Sequence, residues 1–258
     1  MNRIDELFRQ KKSGILSVYF TAGFPHLNDT VTVISALEQA GVDLIEIGMP
    51  FSDPLADGPV IQQSSTAALK NGMNICILFE QLRHIRSKVN IPLVLMGYMN
   101  PVLQYGAEAF CRDAASCGID GLILPDMPPE IYETQYRYLF EQHGLQNILL
   151  ITPRTTNERI GYIDALSSGF IYAVASSATT GNSETDVAAQ QAYFRRIAAL
   201  NLRNPVMIGF GISNRNQFEN ACQYASGAVI GTAFIRKIAD ASTDIENKIS
   251  EFVSGIKG

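Results

Sequence analysis

Eight short apolar runs alternate along the chain with amphipathic stretches, and this alternation limits the fold more than any other feature. The runs are Ile15–Phe20, Leu44–Ile47, Pro92–Met96, Gly121–Leu124, Ile148–Ile151, Ile171–Val174, Pro205–Gly209 and Gly227–Ile230. Most are near-continuous Val, Ile and Leu, as expected of parallel strands buried on both faces. Helical periodicity follows in Val31–Ala40, Ile75–Val89, Ala107–Ser116, Ile131–Gln142, Glu158–Leu166, Gln190–Leu200, Arg215–Tyr224 and Ile245–Val253, with Asp29 and Asn214 as N-caps. Repeated strand–helix units predict an α/β fold with a parallel sheet. An open doubly wound sheet is the alternative. Eight units with no Pro/Gly/Ser-rich linker favour a closed (β/α)8 TIM barrel, built as a single domain over residues 1–258. The segment Ile4–Lys11 precedes the first strand and is expected to form an extra N-terminal helix that plugs the barrel bottom.

Composition removes several classes of function. A net charge of −5 without a long run of one sign argues against a nucleic-acid partner. No apolar stretch of about 18 residues is present, so no membrane span is expected. The first twelve residues lack an apolar signal core, and Cys76, Cys111, Cys117 and Cys222 form no CxxC pair. A cytoplasmic protein with reduced, mostly packed thiols is the expectation. His26, His84 and His143 show no HxH or HxxxH spacing, so no metal site is expected. His26 lies in the first strand–helix loop, where it could border a pocket. No lysine occurs from Asn90 through Arg236, which denies six of the eight strands a Schiff-base nucleophile.

In a barrel of this kind chemistry belongs at the C-terminal ends of the strands. Glu46 sits in the otherwise apolar run Leu44–Gly48, and alternation turns it inward if Ile45 and Ile47 face the helices. A carboxyl there is either a structural group satisfied by backbone or water, or an acid with a raised pKa that exchanges protons near neutrality. The following loop, Met49–Pro59, carries three prolines and the carboxylates Asp53 and Asp57. Each could be a turn former alone; two beside an inward Glu suggest a site. Gly209–Ser213 after the seventh strand and Gly231–Ala233 after the eighth are a moderately specific phosphate signal, since glycines there let backbone N–H groups approach an anion. The small, polar loop Ser176–Glu184 is either a lid or an ordinary exposed loop. The inventory points to carboxylate acid–base chemistry on a phosphorylated substrate.

The stretch Glu46-Ile47-Gly48-Met49-Pro50-Phe51-Ser52-Asp53-Pro54-Leu55-Ala56-Asp57-Gly58-Pro59 closely resembles the signature of the tryptophan synthase alpha chain family. Tyr19–Pro25, Met96–Pro101, Pro125–Pro128 and Gly209–Ile212 resemble it too, so the likeness runs from Ile4 to the last helix. The resemblance implies a lyase that splits indole-3-glycerol phosphate into indole and glyceraldehyde 3-phosphate. It implies that Asp57 holds and deprotonates the indole N–H, while Glu46 is the mobile acid/base. Phe20, Tyr98 and Phe210 would line the indole pocket, and Tyr172 would sit near the glycerol. Gly181, Gly211, Gly231 and Thr232 would contribute to the phosphate site. Asn100 and Asp126 would lie near a partner interface. That partner would be a β subunit in an α2β2 heterotetramer, and its pyridoxal phosphate would belong to it, leaving this chain with no cofactor of its own. Two departures stand out. Ala178 takes the place of a usual glycine in Ala178-Thr179-Thr180-Gly181, while Thr180 and Gly181 keep the lid contact plausible; Thr232 replaces a usual serine. Two other readings are another phosphate-binding barrel enzyme of the same pathway and an idle homologue that only binds and activates a β subunit. The presence of both Glu46 and Asp57 speaks against the latter.

Overall fold

A computed structural model describes residues 2–175, 184–209, 211–240 and 244–258, with the side chains of 184–187 left aside. Eight parallel strands form a cylinder: β1 Ile15–Thr21, β2 Leu44–Gly48, β3 Leu93–Met96, β4 Gly121–Ile123, β5 in two pieces, β6 Ile171–Val174, β7 Val206–Gly209 and β8 Gly227–Ile230. The pieces of β5 are Gln146–Asn147, which pairs with β4, and Leu149–Ile151, which pairs with β6. Between them the Ile148 N–H still donates to Leu122 O at 3.0 Å. β1 pairs with β2 on one side and β8 on the other, which closes the (β/α)8 barrel.

Side-chain alternation sorts the core into two layers. Leu16, Val18, Phe20, Ile45, Ile47, Leu93 and Leu95 pack against the outer helices. Ile15, Tyr19, Leu44, Val94, Ile123, Ile148, Tyr172 and Val229 fill the interior. The helix Arg3–Gln10 joins the interior layer through Ile4 and Phe8, so it plugs the barrel bottom as its sequence pattern predicts. Its N-cap Asn2 accepts from the Ile4 N–H at 2.9 Å. Arg3 and Arg86 pin the buried Asp120 just before β4, at 3.0 and 2.5 Å. These contacts lie at the N-terminal face, where barrels keep stability rather than chemistry.

Two local expectations change and a third is met. Asp29 precedes the helix Thr30–Gln39 but does not cap it, because its carboxylate is taken by the His26 backbone N–H and ring. Asn214 does cap its helix, accepting from the Gln217 N–H at 3.0 Å. The stretch Ile75–Val89 is a helix only over Ile75–Leu82, followed by a short 3-10 turn at Ile85–Ser87. Among the described residues no helix is long and apolar enough to cross a membrane.

Candidate active site

β2 carries Leu44 on the interior layer and Ile45 and Ile47 on the outer one, so Glu46 faces inward. It is fully buried. Its Oε1 accepts from the Ser17 hydroxyl at 3.0 Å, and its Oε2 has no partner among the described residues. Burial pushes its pKa from 4.5 up to about 8, with the Ser17 bond a smaller opposing effect. Glu46 is therefore mostly protonated at neutral pH.

Asp57 reaches the same space from the loop after β2. Tyr98, from the end of β3, donates its hydroxyl to Asp57 Oδ2 at 3.1 Å and accepts from the Ala56 N–H at 3.0 Å. The Tyr98 ring lies on Phe51, with centroids 5.3 Å apart. This tyrosine thus fixes the loop through its backbone, its carboxylate and an aromatic contact. Partial burial raises Asp57 from 3.8 to about 6, and Tyr98 limits the rise. Asp53 is exposed and bonds the neighbouring Ser52 hydroxyl instead.

Two interior tyrosines flank the carboxyls, and each needs a glycine at the top of a neighbouring strand. A Cβ at Gly48 would lie 2.2 Å from the Tyr19 hydroxyl oxygen, and one at Gly209 would lie 2.1 Å from that of Tyr172. Burial and the nearby Glu46 and Asp57 carboxyls drive the Tyr172 hydroxyl pKa far above its ordinary value, so it stays neutral.

A cavity of about 410 Å³ opens above this layer, lined by Tyr19, Asp57, Tyr172, Gly211, Gly231 and Thr232 among others. Pockets of this size hold small ligands. Its rim is the start of the helix Thr232–Ala239, capped by Gly231 without a side-chain bond, so the first N–H groups are open to an anion. Arg236 also lines the cavity. It stands one turn beyond Thr232, and helix side chains lean toward the N-terminus, which carries its guanidinium back to the rim. Among the described residues it has no ion-pair partner. A larger hollow, about 640 Å³, lies at the barrel bottom beside Asp120. There Arg3 pairs with Asp120, Arg137 with Glu141, and Arg203 binds the carbonyls of Asp164 and Ala165. Its arginines are already engaged, and Glu46 and Asp57 are at the other end.

The structure thus brings together Glu46, Asp57, Tyr98, Tyr172, Gly211, Gly231 and Thr232. Phe20, expected in the indole pocket, is a correction. It packs on the outer layer facing the helices, and Tyr19 takes the interior place, because a shift of one residue along a strand changes its face. Thr180, Gly181 and Phe210 lie outside the described residues, as does Ala178. His26 is exposed and paired with Asp29 rather than bordering the cavity. Asn100 is exposed, and Asp126 caps the helix Met99–Tyr105 by accepting from the Met99 N–H at 3.0 Å. Sequence reading missed Ser17, Tyr19 and Arg236. Polar residues at every second position of β1 (Ser17, Tyr19, Thr21) and the four-residue step from Thr232 to Arg236 were the available signals.

A closed parallel barrel with two unlike carboxyls and a helix start at the cavity rim is the architecture of a (β/α)8 acid–base enzyme. Among the described residues no cluster of His, Cys, Asp or Glu could hold a metal. The chain belongs to the tryptophan synthase alpha chain family, whose sequence profile matches residues 6–257. It is 55% identical to the tryptophan synthase alpha chain of Flavobacterium johnsoniae over 257 residues, which cover 100% of both chains. It is 56% identical to that of Flavobacterium psychrophilum over 256 residues, covering 99% of this chain and 100% of the relative. Among solved structures, tryptophan synthase subunit alpha from Legionella pneumophila superposes with a TM-score of 0.89 at 32% identity, over 99% of this chain and 97% of that one. Tryptophan synthase from M. tuberculosis in an aminoacrylate-bound form gives 0.86 at 31%, over 100% of each chain. The family activity is cleavage of indole-3-glycerol phosphate to indole and glyceraldehyde 3-phosphate, a lyase step of tryptophan biosynthesis. The idle-homologue reading is not favoured.

Proposed function

We propose that Glu46 and Asp57 carry the cleavage of indole-3-glycerol phosphate, with the chain acting as one barrel domain. The observation that supports this reading is the contrast between two carboxyls set beside the same tyrosines, Tyr19 and Tyr172: Glu46, buried beneath the cavity, near 8, and Asp57, which lines it, near 6. At neutral pH one is an acid and the other a base. Glu46 gives its proton to the indole ring carbon that bears the glycerol chain. Asp57 accepts the indole N–H and balances the positive charge that this creates. The side-chain hydroxyl next to the ring then loses its proton to the Glu46 carboxylate. Its oxygen forms the aldehyde carbonyl, the carbon–carbon bond breaks, and the electron pair returns to the ring. Glu46 ends protonated, as it began. Tyr98 orients Asp57, and Tyr172 borders the glycerol portion. Gly211, Gly231 and Thr232 bind the phosphate at the helix start; the family resemblance adds Gly181 to the phosphate contacts, Thr180 to the lid contact with substrate and Phe210 to the indole contacts.

Positioning by the phosphate supplies the orientation that acid–base steps need, each step contributing about 10²–10⁴-fold. No cofactor is required by this chemistry. The proposal includes a cytoplasmic location and a tryptophan synthase β subunit as partner in an α2β2 assembly, with pyridoxal phosphate bound only by that partner. The test is indole release from indole-3-glycerol phosphate by the purified chain, with and without a β subunit. Indole that increases on adding the β subunit supports both reaction and partnership. Asp57→Asn should cut kcat/KM by roughly 10²–10⁴-fold; an unchanged value refutes the assignment of the base.

A further inference from the structure

Ser17 is fully buried, in an interior layer otherwise made of Ile15, Leu44, Val94, Ile148 and similar side chains. A hydroxyl in such a place is costly unless it is bonded. Its bond goes to Glu46 Oε1 at 3.0 Å, reaching diagonally from the Ser17↔Leu44 register position to the next inward residue of β2. A serine hydroxyl has one hydrogen to donate. Given to Oε1, it makes Oε1 the accepting, carbonyl-type oxygen of the neutral acid, and the acid hydrogen belongs on Oε2. Oε2 is the oxygen with no partner among the described residues.

We propose that Ser17 is a positioning residue of the reaction, which fixes the Glu46 carboxyl so that a single oxygen, Oε2, both delivers the proton to the ring carbon and takes the one from the glycerol hydroxyl. The inference rests on the reading of Glu46 as the acid. Without Ser17 the two oxygens become equivalent and the carboxyl can turn, so part of the population presents the wrong atom. Among the described residues, the titratable groups near Glu46 are Tyr19 on β1 and Tyr172 on β6, which also lie near Asp57 of the loop after β2; Val94, its register partner on β3, is apolar. The tyrosines stay neutral and Asp57 titrates lower, so the basic limb of a rate profile belongs to Glu46.

Ser17→Ala should lower kcat roughly tenfold with KM little changed, the loss expected for one bond to an ionisable group. It should also move the basic limb to higher pH, because the hydroxyl favours the ionised carboxylate. Ser17→Thr, which keeps the hydroxyl on a β-branched strand residue, should restore both. Difference infrared spectra of the folded protein supply a readout that needs no turnover. The carbonyl stretch of the protonated Glu46, identified by its loss in Glu46→Gln, should rise in frequency in Ser17→Ala, as a carbonyl freed of a donor does. A basic limb and carbonyl band that stay in place in Ser17→Ala, while Glu46→Gln abolishes turnover, overturn the role of Ser17 alone. Full turnover by Glu46→Gln overturns the assignment of Glu46 and the inference with it.

Discussion

Replacing Glu46 by Gln should make the protein more stable, by an amount that grows with pH. Burial raises the carboxyl from 4.5 to about 8. Between those values the unfolded chain has released the proton while the folded one retains it, so wild-type stability falls as pH rises. At about 1.4 kcal/mol per tenfold change in proton affinity, the gap reaches on the order of 5 kcal/mol by pH 8. Gln has the same shape, can still accept from Ser17, and does not titrate. Its buried amide brings a constant penalty of its own, so the informative quantity is the slope against pH rather than the offset. For a chain of this length 1 kcal/mol shifts Tm by roughly 2–4 °C, so the Tm difference between variant and wild type should widen by roughly 10 °C or more. Thermal unfolding of both proteins at a series of pH values from 4.5 to 8.5 gives the curves. Curves that run parallel would mean that Glu46 ionises in the folded protein as it does in water, and the acid role argued from its burial would fail.

Tyr98→Phe removes the hydroxyl donated to Asp57, so Asp57 should titrate above its present value of about 6 and the acidic limb of kcat/KM should move to higher pH. Activity lost at neutral pH should partly return toward pH 8, which a rate profile would show. Gly209→Ala drives a methyl into the Tyr172 hydroxyl and should cost about 1–3 kcal/mol of stability, with a larger KM for substrate. Equal KM in both proteins would remove Tyr172 from the substrate surface. Arg236→Gln deletes the only cation among the described residues lining the cavity. It should raise KM roughly fivefold and flatten the salt dependence of kcat/KM, with kcat preserved.

The barrel was legible because both-face burial writes a parallel strand as a continuous apolar run. β5 shows where that signal stops: its polar start, Gln146–Asn147, belongs to the sheet through the Gln146 N–H bond to Asp120 O at 2.9 Å, which no apolar pattern announces. The helix Pro59–Lys70 was not visible because the residues it buries are Ile61, Ser64, Ser65 and Ala68, small and polar for the most part. Its first hydroxyl bonds across to β1, Ser64 to Thr21 at 2.7 Å, a pairing that exists only in the folded chain. The helix Met99–Tyr105 contains Pro101 in its first turn, where a missing N–H costs nothing, so the proline conceals a helix it does not break. At the site, Glu46 and Asp57 were readable from one continuous stretch. Ser17 and Arg236 were not, because their importance comes from what β2 and the loop after β7 place beside them.

The pairing that closes the cylinder has a different character from the others. Every other pair of strands joins neighbours in the sequence, whereas β1 meets β8 by bringing Ile15 opposite Gly227. The fit there leaves no room, since a Cβ at Gly227 would lie 2.0 Å from Ile15 O. A chain emerging from the ribosome therefore carries the first strand with one edge of backbone N–H and C=O groups unpaired until almost the whole protein has been made. Bringing the ends together costs only slowly more entropy as the loop lengthens, so the finished chain closes readily. A chain stalled before the last strand cannot, and its open edge is a ready template for the same strand of another copy. Aggregation of truncated products and the completeness of the catalytic rim are thus governed by the same late event.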